Sequence, residues 1–563
     1  MFKANAPSQY VPSKSVAIKP EVVSDVAELD QIRIHIPSFV GFIDPNQTFL
    51  KFNLQMKNAR GMLVPDPQAG GAHALFRNVL YRDGNNSATL EYNEDYNANK
   101  ALLENYNQTP SNIHKRELFD GVQRDNGNVL GDKTLYYASR TIDGGATAGS
   151  PDQNPRVAHK VMIQTPLNSG LWKQGNILPV SAMNGLRIQI DTEDVLRCCR
   201  YMSLRGEASE TYPVAGKEVL MVSADKNTGT EDRTSTGDAF NSIELDKLAS
   251  ENPFDIGDIL YIRDASSAVG AGNEEVLGVA QGFYTHATGG AGRLGVSYVP
   301  LRNTADGLTS THATGSIVFY KMEDRQVAQS YYLPSDHAGN VKSGNAPAQT
   351  YVISDMEMIC QSVQPPANYV AGLLKASQSE KGVSFDILTY ELHRHNQSNT
   401  NGLTQAQIPT LQKRAKSLFS QPLPTSNAIA RSFSHSSLSG IVDNAKNYEW
   451  IHGTSHYPSR LAPLSRINTV RNRVSGTEAL HLSELQKAIV NVNEKVRNLH
   501  GVKDNFCIAR ALTKYGQIMD LSTDTLSLRV DYSPAGTEQK LFNNYIYGLR
   551  RITINKDGVM AMF

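Results

Sequence analysis

The chain has 563 residues, enough for three or four ordinary domains or for fewer, larger β units. Apolar residues make up 40% and charged residues 20%, so a sizeable core can be buried. Lysine plus arginine and aspartate plus glutamate both number 55, which argues against a dedicated nucleic-acid binder, whose affinity comes from neutralising phosphates, and offers little resistance to dense self-association.

Four cysteines are too few for a disulfide framework, and none forms a Cys-x-x-Cys pair; buried free thiols are expected. The N-terminal stretch "MFKANAPSQYVPSKSVAIKP" lacks the apolar run of a secretory signal, and no stretch approaches the ~18 apolar residues that cross a bilayer. Residues 1–24 read as an extended arm, either unstructured or ordered on a neighbouring subunit.

Period-two patterning then begins. Ile32, Ile34 and Ile36 alternate with Arg33 and His35; after an Asp44-Pro45-Asn46 turn, Leu50, Phe52, Leu54 and Met56 alternate with polar residues. The spacing predicts a half-buried antiparallel pair. "ALFRNVLYRDG" and "ATLEY" predict a hairpin around Asp83-Gly84, and "NEDYNANKALLENY" a short helix. "VAHKVMIQTP", "GNILPV" and "GLRIQID" return to strand character. Residues 205–330 hold short β runs between Gly-, Thr- and Ser-rich loops, an expected β insertion. "YVISDMEMICQSV" resumes the parent sheet, with Met356, Met358 and Cys360 on the face opposite Asp355 and Glu357.

"QPPANYVAGLLKASQ" reads as a linker with a short helix. In "GVSFDILTYELHRHN" the alternation Val383, Phe385, Ile387 slips to Leu388, Tyr390, Leu392, which predicts a bulge at 387–388. In "GTEALHLSELQKAIVNVNEKVRNLHG", Leu482, Leu485, Ile489, Val492, Val496 and Leu499 recur at helical spacing, with Thr477 placed to cap and Gly501 to stop the helix. It is expected to pack on its own barrel, with a subunit contact as the other reading. "DTLSLRVDY" and the terminal "NNYIYGLRRITINKDGVMAMF" close the series, with a turn at Lys556-Asp557-Gly558. Many short antiparallel strands without a βαβ rhythm define an all-β, repeated sandwich or barrel plan.

Motifs that carry chemistry are mostly missing. Gly290, Gly292 and Gly295 match Gly-x-Gly-x-x-Gly but run into a strand, so a hairpin loop is expected rather than a dinucleotide site. Glu391, His393 and His395 share a strand face, a spacing that metals use but that solvated strands show more often. Lys413, Arg414, Lys416, Arg431, Arg460, Arg466, Arg471 and Arg473 form a mild basic excess without interleaved aromatic platforms, so a solvated or subunit-facing surface is expected, not a nucleic-acid groove. No catalytic, cofactor-binding or metal-binding residue is assigned, and an enzyme is not expected.

Several stretches taken together carry a resemblance: "IPSFVGFIDPNQTFLKFNLQMK", "PDPQAGGAHALFRNVLYRDG", "LPV…NGLRIQID", "YEWIHGTSHYPSRLAPLSRI" and the terminal run. In content and order they resemble the double jelly-roll major capsid proteins, nearest to those of Polinton-like viruses and virophages, and more distantly adenovirus hexon and the capsid proteins of large nucleocytoplasmic DNA viruses. The resemblance covers most of the chain from about residue 25 and fails at 205–330. It implies two consecutive eight-stranded antiparallel jelly rolls, residues 25–370 and 380–563, joined by a linker at 371–379. The 205–330 insertion would form an outer tower, and Val559 and Phe563 would sit in or beside the second core. It further implies homotrimeric, pseudo-hexameric capsomers tiling an icosahedral shell, a virion location, and partners among neighbouring capsomers, penton and minor capsid proteins and, through outer loops, a host surface, with no specific nucleic acid. The alternative from another class is a carbohydrate-binding or carbohydrate-active β-sandwich, which the two tryptophans, Trp172 and Trp450, weaken.

Overall fold

The computed structural model describes residues 2–3, 11–22, 25–57, 63–66, 70–107, 120, 139–140, 157–158, 160–206, 219–224, 242–248, 259–264, 275–286, 293–300, 317–321, 327–332, 350–398, 402–425, 443–463, 479–496, 506–512, 518–532, 535–536 and 538–562. Two sandwiches follow one another along the chain.

The first is built from β1 (Val11–Ile18), β2 (Gln31–Ile36), β3 (Phe49–Lys57), β4 (Phe76–Asp83), β5 (Thr89–Asn93), β6 (Val161–Thr165), β7 (Leu186–Thr192) and β8 (Thr350–Gln364). One sheet has the order β1-β8-β3-β6 and the other β2-β7-β4-β5. The second sandwich comprises β9 (Val383–Gln397), β10 (Gly402–Ile408), β11 (Ala415–Pro424), β12 (Ala445–His452), β13 (Ser455–Pro463), β14 (Ile508–Ala511), β15 (Leu526–Tyr532) and β16 (Lys540–Asn555). Its sheets run β9-β16-β11-β14 and β10-β15-β12-β13. Adding eight to each strand number of the first sandwich reproduces the second. Each is an eight-stranded jelly roll. Between the fifth and sixth strands each roll also carries a helix, α1 (Tyr96–Asn107) in the first and α4 (Ala479–Asn491) in the second, with the single-turn α2 (Gly170–Lys173) and, between the rolls, α3 (Ala367–Ser377) in the intervening chain.

The alternating residues of β2 and β3 do bury one face each, but the two strands do not pair. β2 hydrogen-bonds with β7, and β3 with β8 and β6. Ile34 and Phe52 instead join the same buried cluster from opposite sheets. Two single-turn 3₁₀ segments, Ser38–Val40 and Pro45–Gln47, carry the chain across, and the Asp44 carboxylate accepts the Asn46 N–H at 3.0 Å. A period-two pattern fixes which face is buried, not which strand is the neighbour. The expected hairpin at Asp83 is present: its Oδ1 accepts from Ser87 N at 2.7 Å and Ala88 N at 2.6 Å.

Residues 11–18, expected within the arm, are a strand of the first roll, paired with β8 from Ile18↔Met358 to Val11↔Gln364. The open edge of β8 offers its unpaired backbone groups to that segment, which outweighs its polar composition. In β8 itself Tyr351 and Ile353 are buried, then Met356, Met358 and Cys360. The phase changes at a register shift between Ser354 and Glu357, where Asp355 adopts φ 51°.

Among the described residues of the insertion between β7 and β8, six strands, Val219–Ala224, Ser242–Leu248, Ile259–Asp264, Glu275–His286, Arg293–Pro300 and Ile317–Lys321, close into a barrel, while Cys199–Gly206 and Val327–Tyr332 pair with each other outside it. Closure removes free edges that an inserted sheet would otherwise expose. The strands flanking Gly290 and Gly292 pair antiparallel through His286↔Arg293, as a hairpin requires; the loop itself lies outside the described residues.

In the second roll β9 and β16 pair without interruption from Val383↔Ile554 to Gln397↔Lys540, so the bulge expected at 387–388 is absent. The slip in the apolar pattern has a different cause. Phe385 and Ile387 are buried in the large cluster shared with the first roll, whereas Leu388, Tyr390 and Leu392 face a separate cluster built on the helices. A strand buried on both sides need not alternate. The C-terminal β17 (Gly558–Met562) turns back along β16, pairing Val559 with Ile554, and Val559 is buried. Phe563 lies outside the described residues. α4 ends at Asn491, with Asn493 at φ 61°, well before the stop expected at Gly501; Thr477 and Gly501 are outside the described residues. Leu485, Ile489 and Val492 pack it on its own roll, as expected.

Candidate functional site: the seam and the exposed corners

The two rolls meet along a seam. From the first roll come α1, β5 and the short α2 (Gly170–Lys173); from the second come the outer face of β9 and β16, and α4. α1 presents Leu102, Leu103 and Tyr106 to Tyr390, Phe419, Tyr545 and Tyr547 of the facing sheet. The Tyr390 ring lies 5.3 Å from Tyr547 and 5.6 Å from Tyr545, and Phe419 meets Tyr547 edge-on at 5.5 Å. These separations fall in the range in which aromatic pairs attract beyond simple burial.

Two of these buried tyrosines take a polar partner on the other roll. Tyr547 Oη donates to Asn99 Oδ1 at 2.6 Å, and Tyr390 Oη to the Glu94 carbonyl at 2.9 Å. Burial raises the pKa of both phenols, so they remain neutral donors. Arg394 grips Glu94 at 2.8 Å and Asp95 at 2.5 Å, and Lys173 meets Glu494 at 2.5 Å. Glu91, fully buried on β5, accepts Gly170 N at 2.8 Å and Leu171 N at 2.9 Å. Burial pushes its carboxyl up despite those two hydrogen bonds.

Gly170 sets the approach of the rolls: a Cβ there would stand 2.0 Å from the Leu388 carbonyl oxygen. Gly170→Ala is therefore expected to force α2 and β9 apart and to destabilise the protein by about 1–3 kcal/mol. Chemical unfolding of the variant checks this, and a wild-type midpoint would remove Gly170 from the seam's requirements.

Beside the seam, Asp386 binds Arg414 (2.6 and 2.8 Å) and Arg551 (3.0 and 3.3 Å). Burial alone would raise this carboxyl, but the two guanidiniums hold it down at about 2. Arg414, read from sequence as part of a basic surface, is thus paired within a half-buried ion cluster. Lys416 lines a pocket at the seam, and Lys413 is exposed. The side chains of Arg431, Arg460, Arg466, Arg471 and Arg473 lie outside the described residues.

The chemistry sought by motif does not assemble. Glu391 and His393 approach to 3.4 Å, and among the described residues no group of three metal-binding side chains occurs. Among the described residues, a His-centred polar cluster forms around His73, whose Nδ1 lies 2.8 Å from Tyr96 Oη and Nε2 2.9 Å from Thr165 Oγ1, with Asp120 bonded to the same hydroxyl. All four are buried within the first roll, where they satisfy one another. Cys198, Cys199, Cys360 and Cys507 are free and buried, as expected. Burial drives the Cys360 thiol up to about 12, which keeps it unreactive. No described helix is long and apolar enough to cross a membrane.

A repeated surface feature was not found by sequence reading. Phe39 and Leu411 are the most exposed large apolar side chains among the described residues, at 76% and 74%. Each stands three residues beyond a corresponding strand, β2 or β10, in Ile36-Pro37-Ser38-Phe39 and Ile408-Pro409-Thr410-Leu411. The repeated tetrapeptide was the available signal, and it becomes meaningful once both copies are known to turn the same corner.

No protein-family model matches the chain, and no curated protein does. Among solved structures it is similar to the Faustovirus major capsid protein, with 9% identity, 99% of this chain and 92% of the other covered, and a TM-score of 0.44. It is similar to PBCV-1 VP54 as fitted into a reconstruction of the virophage Sputnik, with 9% identity, coverage of 100% and 99%, and a TM-score of 0.42. The mavirus major capsid protein aligns at 9% identity over 98% of this chain and 90% of its own, with a TM-score of 0.35. The chain's own strand order, one eight-strand plan used twice in succession, makes its fold a double jelly roll.

Proposed function

We propose that the chain is a major capsid protein of the virion, a structural and not a catalytic component, which forms homotrimers and tiles a shell. The observation that carries this reading is the exact reuse of the strand plan. Two like rolls held rigidly side by side allow three chains to present six similar outward positions, so a trimer can occupy a sixfold environment. The polar and aromatic seam supports it, because a tile must keep its two halves in fixed relation. We take the first roll to run from β1 through β8 and the second from β9 through β17. The neighbours would be other capsomers, penton and minor capsid proteins.

The twin corners deepen the reading. A scattered exposed apolar residue needs no explanation, but the same kind of side chain at the same corner of both rolls suits a contact that neighbouring copies meet whichever roll they face. Purified protein is expected to scatter light as a trimer and to yield shells by electron microscopy. The double variant Phe39→Ser, Leu411→Ser should keep its stability within about 0.5 kcal/mol, as surface changes do, and keep the trimer while losing most shells. A monodisperse monomer at micromolar concentration would count against the capsid reading as a whole. Wild-type shell yield from the double variant would remove only the corners.

A further inference from the structure

The seam encloses a pocket of about 150 Å³ between the rolls. Its charged walls are largely matched internally. Glu91 is met by two backbone N–H groups, Glu494 by Lys173, and Asp386 by Arg414 and Arg551. What remains unmatched is of one kind. Asn93 Nδ2, Asn99 Nδ2, Ser169 Oγ, Gln174 Nε2 and Thr389 Oγ1 are buried atoms without a hydrogen-bond partner, and all five residues line this pocket. Asn93 and Thr389 lie close enough to Glu91 to favour its charged form, and Ser169 lies close to the Tyr81 hydroxyl, but none of the three reaches hydrogen-bond geometry. Asn93, Asn99, Ser169 and Thr389 are each at least nine-tenths buried. Lys416, a half-buried cation with no salt bridge to a carboxylate among the described residues, also lines the pocket.

Buried amide and hydroxyl groups are rarely left unsatisfied, because each loses its hydration without replacement. Three of the five are amide N–H₂ donors, the two hydroxyls can donate, and the cation adds positive charge. Burial also lowers the Lys416 pKa, a penalty that a bound negative charge would offset.

We propose that this pocket is a binding site for a small oxyanion, held by Asn93, Asn99, Gln174, Ser169, Thr389 and Lys416, which bridges the two rolls. The anion accepts hydrogen bonds from side chains of both rolls at once and so stiffens their relative position. This assignment stands independently of the capsid reading.

The test uses the full chain and inorganic phosphate, titrated calorimetrically against chloride at constant ionic strength, with thermal unfolding in parallel. Wild type is expected to bind one phosphate per chain saturably, with a rise in Tm. Lys416→Gln, a change at a half-buried position, should weaken binding at least tenfold. Asn99→Asp should do the same, since its carboxylate keeps an acceptor for Tyr547 but repels the anion. Absence of saturable binding to wild type, or equal binding by wild type and Lys416→Gln, would overturn the proposal and leave a pocket filled by water. An equal Tm rise with glycerol in place of phosphate would overturn the anionic character of the guest.

Discussion

Tyr547→Ala is expected to destabilise the protein by about 3–5 kcal/mol, the range for removing a buried aromatic ring. The ring packs on Tyr390 and Phe419 within its own roll, while its hydroxyl reaches Asn99 on α1 of the other roll. Truncation thus removes part of the aromatic cluster and strands an acceptor that is itself buried. Tyr547→Phe separates the two contributions: it keeps the ring and loses only the hydrogen bond, at about 1 kcal/mol. In urea, wild type should unfold with the rolls coupled, whereas Tyr547→Ala should unfold in two resolved steps, one per roll. A single transition of unchanged midpoint in Tyr547→Ala would show that the seam is held elsewhere.

The second large effect is a loss of stability in mild acid, traced to His481. This residue lies fully buried on α4, its ring 5.7 Å from Tyr448 and 5.4 Å from Phe506, and both ring nitrogens lack a hydrogen-bond partner. Glu484, one turn along the helix, is engaged by Lys487 and Arg510. Burial lowers the pKa of His481 from 6.5 to about 4. The unfolded chain therefore takes up a proton at higher pH than the folded one. Stability from this group is intact above about pH 6.5, falls between 6.5 and 4, and is fully lost below 4, a decline of about 3 kcal/mol. His481→Phe should flatten that segment of the pH–stability curve. Asp386 acts in a lower window: its carboxyl is held at about 2, so the stability it contributes is lost as pH falls from 3.8 through 2. A variant that retains the full decline between pH 6.5 and 4 would acquit His481.

The strands were legible because one face of each is wet. Leu186, Ile188 and Ile190 alternate in sequence and are buried in β7. At β9 that condition fails, and the expected bulge failed with it. The phase slip at 387–388 is real in the sequence, but β9 absorbs it by burying its second face against the helices at the seam. The same reasoning applied to β8 would have found the true bulge, since Tyr351 and Ile353 give way to Met356 and Met358 across a register shift. Charge was misleading in a similar way. Arg414 reads as a free surface charge and is instead paired with Asp386 on β9, across the intervening β16.

The sequence by itself determined the all-β character, the insertion, the helices between the strands and the buried faces, since these follow from local periodicity and turn chemistry. Only the tertiary structure decided which strands are neighbours, that 11–18 completes a sheet, and that α1, β5 and α2 of one roll meet the tyrosine face of the other. Those choices depend on contacts between residues hundreds of positions apart, such as Asn99 with Tyr547, and no local pattern encodes the partner of a face that is merely apolar.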